Sequence, residues 1–116
     1  MDTRKEHDFL GELEIPNTAY YGVQTMRAKA NFPITGYTIH PELIRAMAIV
    51  KKSAAQANAA THQLKPSTAD VMIEACDEII NGQWHEQFVV DPIQGGAGTS
   101  INMNTNEVIA NRALEI

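Results

Sequence analysis

The clearest pattern along the chain is a row of apolar residues at helical spacing. The row consists of Leu43, Met47, Val50, Ala54 and Ala57. Its intervals of four, three, four and three positions place these side chains on one face of a helix. Pro41 and Glu42 are typical of a first turn, and His40 before them is interpreted as a cap or surface residue. We therefore predict a helix over residues 41–59.

A second helical row predicts a helix over residues 67–81, ended by Gly82. Its apolar face consists of Ala69, Met72, Ile73, Cys76, Ile79 and Ile80. Its acidic face consists of Asp70, Glu74, Asp77 and Glu78, which we interpret as solvent-exposed. If the two helices are antiparallel, Lys51 and Lys52 are expected to pair with this acidic face.

Nearer the N-terminus the period changes from helical to alternating. From Phe9 to Pro16 apolar and acidic residues alternate, with Leu13 and Ile15 on one side, which predicts a short half-buried strand. Residues 19–23 are expected to return as the second strand of a hairpin. Residues 23–30 suit a short helix.

The last helix is predicted over residues 104–115. Asn104 and Glu107 have the spacing of a capping box, so residues 99–103 are expected to form an irregular lead-in. The segment carries four asparagines, at positions 102, 104, 106 and 111. Because buried asparagines need hydrogen-bond partners, this pattern indicates contact with groups outside the chain.

These elements predict a mainly α fold, a small helical domain with a short β-hairpin. Composition then limits its function. The chain has 116 residues, 44% of them hydrophobic, which suits one folded domain. The net charge of -5 argues against a nucleic-acid partner. The single cysteine, Cys76, excludes an intrachain disulfide and is interpreted as inert core. No segment resembles a signal peptide or membrane helix, so a cytoplasmic protein without a membrane partner is expected.

The candidate chemistry lies in the glycine turn, the name used here for residues 95–98, Gly-Gly-Ala-Gly. Thr99 and Ser100 follow it, at the approach to the last helix. Glycine lets a backbone approach a ligand closely, and the N–H groups and dipole of a helix start favour an anion. The pattern is typical of a carboxylate- or phosphate-binding turn. The alternative is a turn in which Thr99 or Ser100 only caps the helix.

Few other residues suggest chemistry, and nucleotide-binding motifs are absent. A Walker-type loop requires a lysine where Thr99 stands, and no third glycine of a dinucleotide fingerprint follows Gly98. Arg27 is either a surface charge or an anion contact. His85 is not expected to act in acid–base chemistry. No two histidines stand three or four residues apart, so no metal site is predicted.

Motifs along nearly the whole chain resemble one enzyme superfamily. They are Phe9-Leu10-Gly11, Ala19–Thr25, Asn31–Gly36, Val50–Ala55, Ala75–Glu78 and Gln94–Ala113. These segments resemble the N-terminal domain of the aspartase/fumarase superfamily. Class II fumarases usually have Leu-Trp-Gly where this chain has Tyr20-Tyr21-Gly22, and a serine where it has Ala97. The sequence is therefore more similar to the aspartase (aspartate ammonia-lyase) pattern, with class II fumarase as the alternative.

The resemblance implies reversible elimination of ammonia from L-aspartate to give fumarate, with no cofactor. It also implies a homotetramer whose active sites each combine three subunits. The sequence stops within a predicted helix, so residues 1–116 are expected to be an N-terminal domain truncated before the central helical bundle. Alone, this domain is expected to be inactive, or to act only as a folding or interaction module.

Site residues follow from the same resemblance. Thr99 matches a threonine that binds a substrate carboxylate, and Ser100 and Asn102 flank it as supports. The anion-binding backbone groups are those of Gly96, Ala97 and Gly98. Arg27 matches an arginine implicated near the site. The catalytic residues of the superfamily match no position in this chain.

Overall fold

A computed structural model describes residues 2–116 and contains a hairpin followed by four helices. The strands are β1 (Thr3–Asp8) and β2 (Gly11–Pro16). The helices are α1 (Val23–Asn31), α2 (Pro41–Ala60), α3 (Pro66–Ile80) and α4 (Thr99–Glu115), with a single 3-10 turn at His85–Gln87. The predicted mainly α fold with a short β-hairpin is confirmed. Within the described residues, no helix combines the length and apolarity needed to cross a membrane.

The hairpin forms with a different partner from the one predicted. β2 pairs antiparallel with β1, so that Thr3 faces Pro16 and Asp8 faces Gly11. The predicted return strand at residues 19–23 is wrong, because Gly22 is the N-cap of α1 and Val23 already belongs to that helix. Within β2 the predicted alternation of apolar and acidic side chains is present: Ile15 is buried, whereas Glu12 and Glu14 are exposed.

β1 was missed because it contains no apolar residue. Besides its pairing with β2, the strand is held by Arg4, whose guanidinium donates hydrogen bonds to the carbonyl oxygens of Pro16 (3.0 Å) and Tyr21 (2.9 Å). The same guanidinium pairs with Glu6 at 2.7 Å. A charged side chain thus ties the strand to the segment that leads into α1.

The bounds of α2 match the prediction, but the buried face is rotated. The N-cap His40 accepts a hydrogen bond from the N–H of Glu42 through its Nδ1 (3.1 Å), as expected for a capping residue. The buried residues are Ile44, Ala48 and Ala55. Leu43 and Val50 of the predicted row are 46% and 60% exposed, because the neighbouring helices contact the adjacent face.

For α3, the predicted ends and the predicted apolar face are both confirmed. Gly82 follows the C-cap Asn81 at φ +98°, a conformation that ends helices. Of the two lysines expected to pair with the acidic face, Lys52 contacts Asp77 at 2.7 Å. Lys51 instead donates a hydrogen bond to Asn102 of α4.

One acid on α3 is not solvent-exposed as predicted. Glu78 accepts hydrogen bonds from Arg112 (2.7 and 2.9 Å) and from the indole N–H of Trp84 (2.9 Å). The Arg112 guanidinium lies 5.3 Å from the Trp84 ring centroid, and Tyr20 meets that ring edge-on at 4.9 Å. The hydrogen bonds from Arg112 hold the pKa of Glu78 below its ordinary value.

α4 begins at Thr99, earlier than predicted, and Asn104 does not cap it. The Asn104 side chain is fully buried. Its Oδ1 accepts from the N–H of Val89 and its Nδ2 donates to the carbonyl of Gln87, both at 3.0 Å. The capping-box prediction is therefore wrong, since the side chain satisfies the backbone of the segment between α3 and the glycine turn.

Three of the four asparagines of α4 find partners within the chain, so the expectation of outside contacts is wrong for them. Asn102 accepts from Lys51, Asn104 binds the preceding segment, and Asn111 donates to the carbonyl of Tyr20 (2.6 Å). Asn106 makes only a weak contact with the sulfur of Met103, at 3.9 Å.

Glu107 joins α4 to the start of α1. Its carboxylate accepts hydrogen bonds from the N–H groups of Gln24 (3.1 Å) and Thr25 (2.8 Å) and from the Thr25 hydroxyl (2.6 Å). Glu6 of β1 accepts from the N–H of Val23 (3.1 Å). These two carboxylates satisfy N–H groups that a helix start leaves unpaired, and they lie at the positive end of its dipole.

Gly22 is the residue that lets both carboxylates approach. A Cβ at this position would lie 2.5 Å from Oε2 of Glu107 and 2.6 Å from Oε1 of Glu6. Because non-bonded atoms do not approach so closely, a side chain here would displace the groups that cap α1. The glycine is thus part of the contact between β1, α1 and α4.

We predict that Glu107→Gln lowers the free energy of unfolding of the chain by about 1–3 kcal/mol. The amide loses charge-assisted hydrogen bonds and turns an N–H2 group toward backbone donors. Urea unfolding followed by circular dichroism measures the change. The matched control is Glu74→Gln, at an exposed acid of α3. Equal unfolding midpoints for the two variants would show that this contact contributes nothing.

Candidate functional site

The glycine turn is a left-handed turn that leads directly into α4. Gly96, Ala97 and Gly98 have φ values of +80°, +55° and +86°. The carbonyl of Gly96 accepts hydrogen bonds from the N–H of Thr99 (3.1 Å) and from its hydroxyl (2.6 Å). Two of these positions are glycine, for which the conformation costs little, whereas Ala97 adopts it against its intrinsic preference.

Several backbone N–H groups at the glycine turn have no hydrogen-bond partner among the described residues. The N-cap residue is Gly98, which makes no side-chain hydrogen bond, so the alternative in which Thr99 or Ser100 serves as the cap is wrong. Within residues 2–116, no hydrogen bond is made to the N–H groups of Ala97, Gly98 or Ser100. Successive N–H groups in a left-handed turn, next to the positive end of a helix dipole, form an anion-binding concavity.

Gln94 fixes the turn on the end of α4. Its Oε1 accepts a hydrogen bond from the N–H of Ile101 (2.9 Å), and its Nε2 donates to the carbonyl of Asp91 (2.7 Å). One side chain therefore replaces a missing cap and closes the loop that precedes the turn. The Gln94 side chain makes no hydrogen bond to the N–H groups of Ala97, Gly98 or Ser100.

Asp91 anchors that loop to the segment after α1. Its carboxylate accepts hydrogen bonds from the N–H groups of Thr35 (2.7 Å), Gly36 (2.9 Å) and Ile93 (2.9 Å), and also from the Thr35 hydroxyl. Burial alone would raise the pKa of Asp91, but these hydrogen bonds to the charged form outweigh it and lower the pKa to about 2.

Three of the predicted site residues lie together in the first turn of α4. Thr99 is exposed, Ser100 is buried, and Asn102 is half-buried with its Oδ1 bonded to Lys51. Thr99 and Asn102 are three positions apart, so they share a face of the helix. The structure therefore groups these three residues with the backbone of Gly96, Ala97 and Gly98.

Arg27 lies elsewhere, against the hairpin. Its guanidinium donates to both carboxylate oxygens of Asp8 (2.9 Å each) and to the carbonyl of Gly11 (3.0 Å). The hydrogen bond from Arg27 lowers the pKa of Asp8. Among the described residues, no hydrogen bond connects Arg27 to the glycine turn.

The remaining reactive side chains serve structural roles. A ring nitrogen of His85 contacts the carbonyl of Ile79 at 2.9 Å. Burial raises the pKa of the Cys76 thiol to about 11, which suppresses the reactive thiolate. Among residues 2–116, no group of three or more His, Cys, Asp or Glu side chains is placed to hold a metal ion.

Sequence reasoning missed Asp91, Gln94 and Lys51 as supports of this site. Asp91 and Gln94 adjoin the turn, and a polar residue next to a glycine-rich loop was a usable signal for them. Lys51 had none, since the residue that it contacts, Asn102, lies 51 positions away. Only the packing of α2 beside α4 connects the two.

Comparison with known proteins finds one family and many relatives. A family model described as Lyase matches residues 11–116. The chain is 66% identical over 115 residues to an aspartate ammonia-lyase of Bacillus sp., covering 99% of this chain and 25% of that protein. The aspartate ammonia-lyase of Bacillus subtilis is 62% identical, over 97% of this chain and 24% of the relative. A class II fumarate hydratase of Halobacterium salinarum is 50% identical, over 99% of this chain and 24% of its own length.

Solved structures share the fold. A fumarate lyase:delta crystallin from Brucella melitensis, in a structure bound to cobalt, superposes with a TM-score of 0.96 at 55% identity, covering 98% of this chain and 25% of the other. A class II fumarase from Schistosoma mansoni gives a TM-score of 0.94 at 34% identity, covering 98% and 24%. The chain thus spans about a quarter of the length of these relatives.

The Asp91 anchor predicts a loss of stability in acid. Because its folded pKa, about 2, lies below the ordinary value of 3.8, its contribution is complete above pH 4 and is lost as the pH falls toward 2. Asp91→Asn should therefore lower the urea midpoint at pH 7 and flatten its decline between pH 4 and pH 2. Asp70→Asn, at an exposed acid of α3, is the control. Parallel pH profiles for the wild-type and Asp91→Asn chains would contradict the assignment.

Proposed function

The chain belongs to the lyase family, and on that premise we propose that it forms part of a longer aspartate ammonia-lyase. Residues 1–116 would be its N-terminal domain. The reaction would be the reversible deamination of L-aspartate to fumarate and ammonia. The observation that carries the proposal is the glycine turn, where N–H groups without a hydrogen-bond partner among the described residues lie at the start of α4 beside the Thr99 hydroxyl.

In this proposal the turn binds a carboxylate of the substrate. Backbone N–H groups of Ala97, Gly98 and Ser100 supply donors, and the helix dipole favours the negative charge. The Thr99 hydroxyl, which here donates to the carbonyl of Gly96, rotates to donate to the carboxylate. Ser100 and Asn102 support the turn from the same helix.

The turn would contribute most in the transition state. When the Cβ proton of aspartate leaves, negative charge moves onto the adjacent carboxylate. Donors already in place for that charge stabilise the transition state more than the ground state. The group that removes the proton would come from a part of the enzyme outside this chain, and so no catalytic residue is assigned among residues 1–116.

Further parts of the proposal rest on the resemblance. The whole enzyme would be a cytoplasmic homotetramer with L-aspartate and fumarate as its substrates, and with neither nucleic acid nor membrane as a partner. Arg27 would contact the substrate only after its guanidinium left Asp8, and in the described chain it holds the hairpin against α1.

Class II fumarase is the competing function, and two observations favour the lyase acting on aspartate. The Bacillus sp. aspartate ammonia-lyase is 66% identical to the chain, against 50% for the Halobacterium salinarum fumarate hydratase. Ala97 also occupies the position where class II fumarases usually carry a serine.

A chimera tests the proposed function with the whole chain. Residues 2–116 replace the matching quarter of the Bacillus sp. aspartate ammonia-lyase, and fumarate formation is followed by its ultraviolet absorbance. The chimera should form fumarate from L-aspartate and not from L-malate. In the control, the matching segment of the Halobacterium salinarum fumarate hydratase replaces the same quarter of the Bacillus sp. enzyme. An assembled chimera that turns over malate alone, or neither substrate, would refute the proposal.

Thr99→Val in this chimera should lower kcat/KM for L-aspartate about 100- to 1000-fold, the usual effect of removing one donor to developing charge. The variant keeps the shape of the side chain and removes its hydroxyl. Thr99→Ser keeps the hydroxyl and should retain most of the activity. A Thr99→Val enzyme with a lower melting temperature but unchanged kcat/KM would limit Thr99 to a structural role.

A further inference from the structure

Two neighbouring lysines of α2 have different surroundings. Lys52 pairs with Asp77 of α3 at 2.7 Å, so its charge is compensated. Lys51 is half-buried, and its ammonium donates a hydrogen bond to the amide oxygen of Asn102 in α4. Within residues 2–116, Lys51 forms no ion pair with a carboxylate.

The place of Lys51 is electrostatically unfavourable without an anion. Asn102 lies in the first turn of α4, where the helix dipole is positive. A cation near this end is repelled, whereas a cation near the other end would be attracted. An uncompensated, half-buried charge that violates this rule points to a missing negative partner.

The geometry directs that missing charge toward the glycine turn. Asn102 follows Thr99 by three residues on the same face, a rise of about 4.5 Å along the helix. When the lengths of the Asn102 side chain and of the hydrogen bonds are added to this rise, the ammonium lies on the order of 10 Å from an anion held by Thr99 and the turn. Lys51 also lines a cleft of about 270 Å³ between α2, α3 and α4, whose other polar residues are the uncharged Asn58 and Asn106.

We propose that Lys51 is a positioning residue for the carboxylate site, an inference that rests on the proposed function. Its hydrogen bond fixes Asn102 under the first turn of α4, and its charge raises the positive potential at the glycine turn. A bound carboxylate supplies the negative charge that the surroundings of Lys51 lack. The residue acts through Asn102 and through the field, without contact with the reacting atoms.

The size of the effect follows from Coulomb's law. For charges roughly 10 Å apart, the effective dielectric constant lies between about 20 near a protein surface and about 80 in water. Removing the cation should then weaken binding of one carboxylate about 2- to 16-fold, with about fourfold in the middle of this range. Since the same attraction acts on the bound substrate and on the transition state, KM should rise more than kcat falls. Salt should weaken binding less when the cation is absent.

The chimera described above, carrying Lys51→Gln, Lys51→Arg or Lys52→Gln, tests this inference. The readouts are KM for L-aspartate and the inhibition constant of succinate, an unreactive dicarboxylate, at low and high sodium chloride. Lys51→Gln should raise both constants about fourfold and reduce their dependence on salt. Lys51→Arg keeps the charge and should resemble the unsubstituted chimera, as should Lys52→Gln, the matched control on the neighbouring residue.

Melting temperatures separate positioning from a purely structural role. Because Lys51→Gln removes a repelled charge, its melting temperature without ligand should stay level or rise. Succinate binding equal to that of Lys52→Gln, or a lower melting temperature with an unaltered salt response, would overturn the inference while leaving the proposed function intact. An unsubstituted chimera that neither binds succinate nor deaminates aspartate would overturn both.

Discussion

The hydrogen bonds from one side of α4 hold the other elements in register. Asn104 satisfies the segment after α3, Glu107 satisfies the start of α1, and Asn111 binds the carbonyl of Tyr20. Val108 and Ile109 are buried and contribute hydrophobic stabilisation, but this interaction is non-directional and does not fix the orientation of α4. Because each polar group would cost free energy if buried without its partner, these bonds favour one orientation of α4 and thereby one position for the glycine turn.

Local signals predicted much of the fold, and tertiary partners decided the rest. Helices with regular apolar spacing and proline at the first position ended within one residue of their predicted bounds. β1 is entirely polar, so no apolar alternation marks it in the sequence, and its pairing with β2 is visible only in the structure. Glu107 had the spacing of a local cap but binds α1 instead, since capping patterns carry no information about neighbouring helices. The buried face of α2 likewise depended on where α3 and α4 pack.

The candidate site was likewise predictable from local signals only in part. Glycines followed by hydroxyl residues mark a turn before a helix, which located Thr99 and the backbone groups around it. The left-handed conformation of Ala97 was not predictable, since alanine disfavours it. The partners of Asp91, in the loop after α1, and of Asn102, on α2, are distant in sequence and required the packed structure.

Trp84 gives the chain an internal optical probe. It is the single tryptophan, and its indole ring lies between Glu78 of α3, Arg112 of α4 and Tyr20 of the segment before α1. Indole emission depends on the polarity and nearby charges of its surroundings, so fluorescence reports whether these three segments are together. Intrinsic Trp84 fluorescence thus reports on the C-terminal end of α4, the helix whose N-terminal end carries the glycine turn, and requires no added label.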